Sequence, residues 1–169
     1  RLTEGGFSVQ SVWAMGSETA AIDRAGEAEV NLVVSSVGLP AAEFLRERFG
    51  MPYVVGAPLG DTVSALLLGA LQKSIRTGEN EILPAGTPDA PDTVILGESV
   101  TSRSLAAALL LDYGLCAEVI CPVELPRELE GSFCRQIEDE QDLQAALSGA
   151  RRVIADPLFA PIVPQGAQF

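Results

Sequence analysis

The sequence predicts an α/β fold in three layers, with helices on both faces of parallel sheets, and three observations carry that expectation. The first is a grammar of helix end, glycine and β-forming run that is spelled three times: Arg1 to Val9, Leu45 to Val54 and Leu110 to Val119. Gly5 or Gly6, Gly50 and Gly114 stand where a left-handed helix C-cap favours glycine. The second is that the β-forming runs lead directly into helix-capping residues, so strand and helix alternate. The third is composition. Hydrophobic residues make up 47% of the chain and aromatics only 5%, and the Ala, Leu and Val load suits helices packed on a parallel sheet. Repeated helix–glycine–strand joints are half of a βαβ unit, and such units impose right-handed crossovers. The expected result is two Rossmann-like parallel-sheet halves.

Taken in order, a strand over Phe7 to Trp13 leads into Met15-Gly-Ser-Glu-Thr19, where Ser17 caps a helix running to about Ala25. A strand over Val30 to Val34 leads into Ser35-Ser-Val-Gly-Leu-Pro40, with Pro40 suited to a first helical turn. A strand at Tyr53 to Val55 is followed by Gly56 to Gly60 and by Asp61 as an N-cap. The next helix carries Val63, Leu66, Leu67, Ala70, Leu71 and Ile75 at helical spacing. Residues 77–92 hold two glycines and three prolines without periodicity and read as a linker. The grammar then restarts: a strand at Thr93 to Leu96, a loop at Gly97 to Arg103, and a helix from Ser104 to Tyr113. A strand at Ala117 to Cys121, a helix at Asp139 to Leu147 and a strand at Arg152 to Ala155 complete it. The halves are therefore 1–76 and 93–169. The chain opens on a helix end and stops in a Pro/Gly-rich stretch, so each half is expected to be truncated, the first at its N-terminus and the second at its C-terminus.

At 169 residues the chain is long enough to build a core without disulfide or metal staples. Its charge excludes whole classes of function. Eleven basic residues against 23 acidic ones leave −12, and Lys73 is the sole lysine. Such a surface repels a phosphate backbone, so nucleic acid is not an expected partner. The longest apolar run, Leu105 to Leu111, is too short to span a bilayer, and no signal-peptide pattern opens the chain. A cytoplasmic protein without a membrane partner is expected. There is no histidine, which removes Ser-His and Cys-His nucleophile pairs and imidazole ligands. Cys116, Cys121 and Cys134 show no metal-binding spacing and read as small buried hydrophobes in a reduced compartment. Cys121 stands out because it closes a strand, and strand ends are where open α/β sheets place ligands.

That rule selects the candidate site. The loops at the carboxyl ends of the expected strands bring Ser17, Ser35, Ser36 and Gly38 from the first half opposite Gly97, Glu98 and Ser99 from the second. Small side chains and helix N-terminal amides suit a bulky anionic ligand better than a metal. The same residues also serve as ordinary turn glycines, capping serines and first-turn acids. Arg103 is either a carboxylate clamp or a solvated face. Neither Gly-x-Gly-x-x-Gly nor a P-loop pattern is present, so nothing points to a nucleotide.

The runs Trp13-Ala-Met-Gly-Ser-Glu-Thr-Ala-Ala-Ile22, Ala28-Glu-Val-Asn-Leu-Val-Val34 and Glu43-Phe-Leu-Arg-Glu-Arg-Phe-Gly-Met-Pro-Tyr53 resemble the nitrogenase component 1 family. That family includes the nitrogenase molybdenum-iron protein subunits, their cofactor-assembly scaffolds and tetrapyrrole reductases such as dark-operative protochlorophyllide reductase. Val94-Ile-Leu-Gly-Glu-Ser99 and Arg152-Val-Ile-Ala-Asp-Pro157 look like the opening and a later strand of the family's next Rossmann-like domain. The resemblance implies a parent protein with an iron–sulfur cluster, a second component 1-type subunit and an ATP-dependent iron-protein-like reductase. Its substrate would be a small molecule or a tetrapyrrole. The family's cofactor-ligating cysteine aligns with Ser35, and its cluster-bridging cysteines lie in a portion N-terminal to this stretch. No cofactor or metal ligand is therefore expected within these residues, and the piece should be inactive alone. A divergent member acting on another substrate fits better than nitrogenase proper. The alternative is a non-catalytic assembly scaffold or a small-ligand module of the same fold.

Overall fold

A computed structural model describes residues 2–13, 16, 18–84, 91–131 and 133–169. Two sheets form, and every strand pair in them is parallel. The first sheet has the order β1-β2-β3, from Asn31–Val33, Tyr53–Val55 and Glu81–Ile82. The second has the order β6-β5-β4-β7, from Cys134–Gln136, Ala117–Cys121, Thr93–Leu96 and Arg152–Ala155. Helices α1 (Thr19–Asp23), α2 (Leu39–Phe49), α3 (Asp61–Thr77), α4 (Ser99–Tyr113) and α5 (Glu140–Leu147) make or precede the crossovers. Parallel pairing requires such crossovers. The architecture is the expected three-layer α/β arrangement of two parallel-sheet halves.

Local sequence explains most of the joints. Pro40 sits in the first turn of α2, where its missing N–H costs nothing. Gly50 and Gly114 end α2 and α4 in the left-handed conformation, with φ of 70° and 66°. Asp139 caps α5 by accepting from the amides of Gln141 and Asp142.

Several expectations are corrected. Phe7 to Trp13 takes no strand. Val9 and Val12 stand about half exposed, so β propensity there has little burial behind it, and Gln10 Nε2 donates to the Arg24 carbonyl. The helix after it shrinks to Thr19–Asp23, and its expected cap, Ser17, lies outside the described residues. Helix α3 continues to Thr77, and β3 falls at Glu81–Ile82, inside the stretch read as a linker. Leu66 and Ile75 of the α3 stripe face outward. Helix α4 begins five residues before Ser104, within the stretch read as a loop. Strand β6 has no counterpart in the expected series. It is a three-residue edge strand with Arg135 and Gln136 exposed, so it carries little apolar signal.

The core runs through both halves. Val33, Leu39, Ala42 and Val55 of the first pack in one buried cluster with Ile95, Val100, Val119 and Leu129 of the second. Helix α4 lies at the centre of this contact. Ala106, Ala107 and Ala108 are consecutive and all buried, so the helix meets protein on every side there. Ala106 joins the shared cluster, while Ala107 and Ala108 pack on Val63 of α3. Further along the same face of α3, Leu67 and Leu71 cover Val54 at the middle of the first sheet.

Candidate functional site

The site is built outward from α4, because its N-terminus meets the carboxyl ends of the first sheet. Glu98 is the N-cap residue, and its carboxylate accepts from the amides of Val100 and Thr101, each at 3.0 Å. The same carboxylate reaches across to the first half and accepts from the Ser36 amide at 2.6 Å. Burial alone would raise the Glu98 carboxyl. The amides of Thr101, Ser36 and Val100 outweigh burial and hold it below the ordinary carboxylate range. One turn on, Thr101 Oγ1 donates to the Val34 carbonyl at 3.2 Å. Ser104 Oγ then accepts from the Ala57 amide and donates to the Val100 carbonyl, both at 2.8 Å. At the far end of α4, Asp112 accepts from the amides of Asp61 and Thr62, which begin α3. Four side chains of one helical segment thus close onto the loops after β1 and β2.

The expected site residues behave unequally within this frame. Ser36 and Glu98 are in direct contact, so the structure brings the two loops together. Ser99 is completely buried, and its hydroxyl donates to the Glu98 carboxylate at 3.4 Å. Ser35 is extended and half-buried just before the Ser36–Gly38 turn. Gly97 stays close to the following helix: a Cβ there would come within 2.8 Å of Ser102 Oγ. Gly38 has ordinary backbone angles, and a Cβ would meet Val33 only at normal contact distance. The Ser36 amide, expected to face a ligand anion, is already bonded to Glu98, as are the helix-start amides of Val100 and Thr101. What remains open beside them is apolar: Val37 is 84% exposed and Val34 47%.

Two surface concavities lie elsewhere. One, of about 600 Å³, is lined by Arg135, Gln136, Glu138, Asp142 and Ala145 beside β6 and α5. The other, of about 580 Å³, lies between Gly60–Thr62 and Leu111–Tyr113. Neither is lined by a residue of the candidate site named from sequence. Reading the sequence missed Thr101, Ser104 and Asp112 as links between the halves. A polar residue on an otherwise apolar helix was the available signal. Arg103 is neither a carboxylate clamp nor a solvated face; its guanidinium donates to the Leu129 carbonyl at 2.9 Å.

The family model described as nitrogenase component 1 type oxidoreductase matches residues 2–100. The chain belongs to this family. No curated protein and no solved structure gives a significant match. The matched stretch runs from the start of the described chain through β4 into the first turn of α4. It therefore contains Ser35, Ser36, Gly38 and Gly97 to Ser99 but stops short of Cys121 and Cys134.

Membership in this family implies iron–sulfur chemistry in the intact protein, and the donors present can be tested against it. Among the described residues no three His, Cys, Asp or Glu side chains are grouped to hold a metal ion. Cys116 lies before β5 while Cys121 closes it, so the three cysteines do not converge. The donor set does not fit a resident cluster. No described helix is long and apolar enough to cross a membrane.

Proposed function

We propose that this chain is part of an oxidoreductase subunit of the nitrogenase component 1 type, and that it contributes a ligand-binding wall rather than a cluster. The family match over residues 2–100 carries the reading. The intact protein would receive electrons through an iron–sulfur cluster fed by an ATP-dependent iron-protein-like reductase, and it would pair with a second component 1-type subunit. Its substrate would be a small molecule or a tetrapyrrole.

The contact between Ser36 and Glu98 supports a site at the meeting of the two strand-end loops. With the amides there and the Ser99 hydroxyl taken by Glu98, the surface left for a ligand is Val34, Val37 and the half-buried Ser35. Such a surface suits the flat apolar face of a macrocycle better than a compact anion. The test is anaerobic reconstitution of the isolated chain with iron and sulfide, followed by tetrapyrrole titration. The reading expects no stoichiometric cluster chromophore, together with a saturable shift in tetrapyrrole absorbance that weakens when Val37→Asp is introduced. A stoichiometric cluster in the chain alone, or absorbance unchanged by added chain, overturns it.

The exposed apolar Val34 and Val37 suit ligand retention without chemistry as well, which is the second reading, a non-catalytic scaffold or ligand carrier of the same family. ATP-dependent substrate turnover by the intact protein with its reductase separates the two. Turnover supports the enzyme, and ligand transfer without turnover supports the scaffold.

A further inference from the structure

Cys121 closes β5, and Cys134 opens β6 beside it. Their sulfurs lie 3.8 Å apart, and both side chains are buried. The two residues are free thiols. In the β5–β6 register Cys134 stands opposite Val119, and Cys121 opposite Gln136. The thiols are thus diagonal neighbours on one face of the sheet, two positions apart. From strand spacing and rise, their Cα atoms stand about 8 Å apart, beyond the roughly 7 Å that a relaxed disulfide spans. Arg103, held by the Leu129 carbonyl, is near enough for its charge to favour the Cys134 thiolate.

We propose that Cys121 and Cys134 form a reversible dithiol–disulfide couple, oxidised by hydrogen peroxide, in which Cys134 reacts first. Two features single out Cys134. The guanidinium of Arg103 stabilises its thiolate. Its strand is also the short edge of the sheet: β5 is its one strand neighbour, a single bridge to Gly131 holds Cys134 on the other side, and Arg135 and Gln136 are exposed, so local opening there admits a small oxidant. The hydrogen bond between the two sulfurs, with Arg103 adding to it against the cost of burial, holds the Cys134 thiol down. The same pairing and burial push the Cys121 thiol up.

In the first step the Cys134 thiolate attacks a peroxide oxygen. The S–O bond forms, the O–O bond breaks, and the departing hydroxide takes up the proton that Cys134 lost. In the second step the Cys121 sulfur attacks the Cys134 sulfur. The S–S bond forms, the S–O bond breaks, and the oxygen leaves as water with the Cys121 proton. Overall two thiols give up two electrons and two protons, and one peroxide becomes two waters. Closing the bond must draw β6 along β5, so the disulfide is strained and yields readily to thiols.

The test uses the whole chain under native conditions. After brief peroxide treatment and quenching, the protein is unfolded, alkylated and mapped by mass spectrometry. The expected result is a Cys121–Cys134 cross-linked peptide with Cys116 alone alkylated, reversed by excess monothiol. Cys116→Ser should give the same cross-link, and Arg103→Gln should slow its formation severalfold. Alkylation of all three cysteines, oxidation confined to Cys116, sulfinic acid at Cys134 without a cross-link, or a cross-link that resists monothiol overturns the proposal.

Discussion

Glu98 concentrates more of this molecule's organisation than any other side chain. One carboxylate terminates the amide ladder of α4 and fastens the Ser36 amide of the other half. Because these bonds hold its folded pKa below the unfolded one, its contribution to stability is complete above its unfolded pKa of about 4.3. That contribution is lost as pH falls through the lower folded value. Glu98→Gln should destabilise the chain by about 1 kcal/mol at neutral pH, the usual cost of an impaired cap. It should also flatten the acid limb of a plot of urea midpoint against pH. An acid limb identical to that of the parent chain would remove Glu98 from this role. The residue itself was legible in the sequence as a first-turn acid of the second half. Its use as a cap was not, because caps are sought among Ser, Thr, Asp and Asn, and glutamate must fold its longer side chain back to serve.

At the scale of elements, α3 and α4 teach most about what patterning conveys. Helix α3 displayed its apolar face openly, and the buried Val63, Leu67 and Leu71 are that face. Gly69 lies in the middle of this helix, exposed, with nothing within 4 Å of a Cβ built upon it. Gly69→Ala should therefore stabilise the protein by about 0.5–1 kcal/mol through helix propensity alone, seen as a raised thermal midpoint. Asp112→Ala should act oppositely. It removes the acceptor of the Asp61 and Thr62 amides, which should cost about 1–2 kcal/mol and speed hydrogen exchange in the first turn of α3. Slow exchange in that variant would show that the cap is dispensable. Helix α4 was half legible. Its apolar stretch and Gly114 stop signal were plain, but Ser99 to Arg103 reads as polar loop because buried serines and a capping glutamate imitate one. Strands divide in the same way. Thr93–Leu96 is buried along its length and declared itself as a continuous apolar run. Phe7 to Trp13 has β propensity yet takes no strand, and β6 pairs with β5 but has little propensity.

Over the whole molecule the restarted grammar suggested two halves separated by a linker, and the packing gives that division a different physical meaning. The buried cluster that includes Leu39 of α2 also includes Val119 and Leu129 beyond β4. Four side chains of the Glu98–Asp112 segment bond to loops of the first half. Separating the halves would expose that apolar surface and leave the buried Ala57 amide without Ser104. Unfolding should accordingly be one cooperative transition with equal calorimetric and van't Hoff enthalpies. Leu39→Ala discriminates sharply, because the side chain belongs to the first half by sequence and to the common core by contact. The cavity it leaves should cost about 2–5 kcal/mol. If the core is shared, the whole transition moves down by that amount while remaining single. Amides of β5 in the second half should then lose as much hydrogen-exchange protection as those of β2 in the first. Two resolved transitions, with Leu39→Ala lowering only the one reported by β2, would mean that the halves unfold independently and that their contact contributes little to the stability of either.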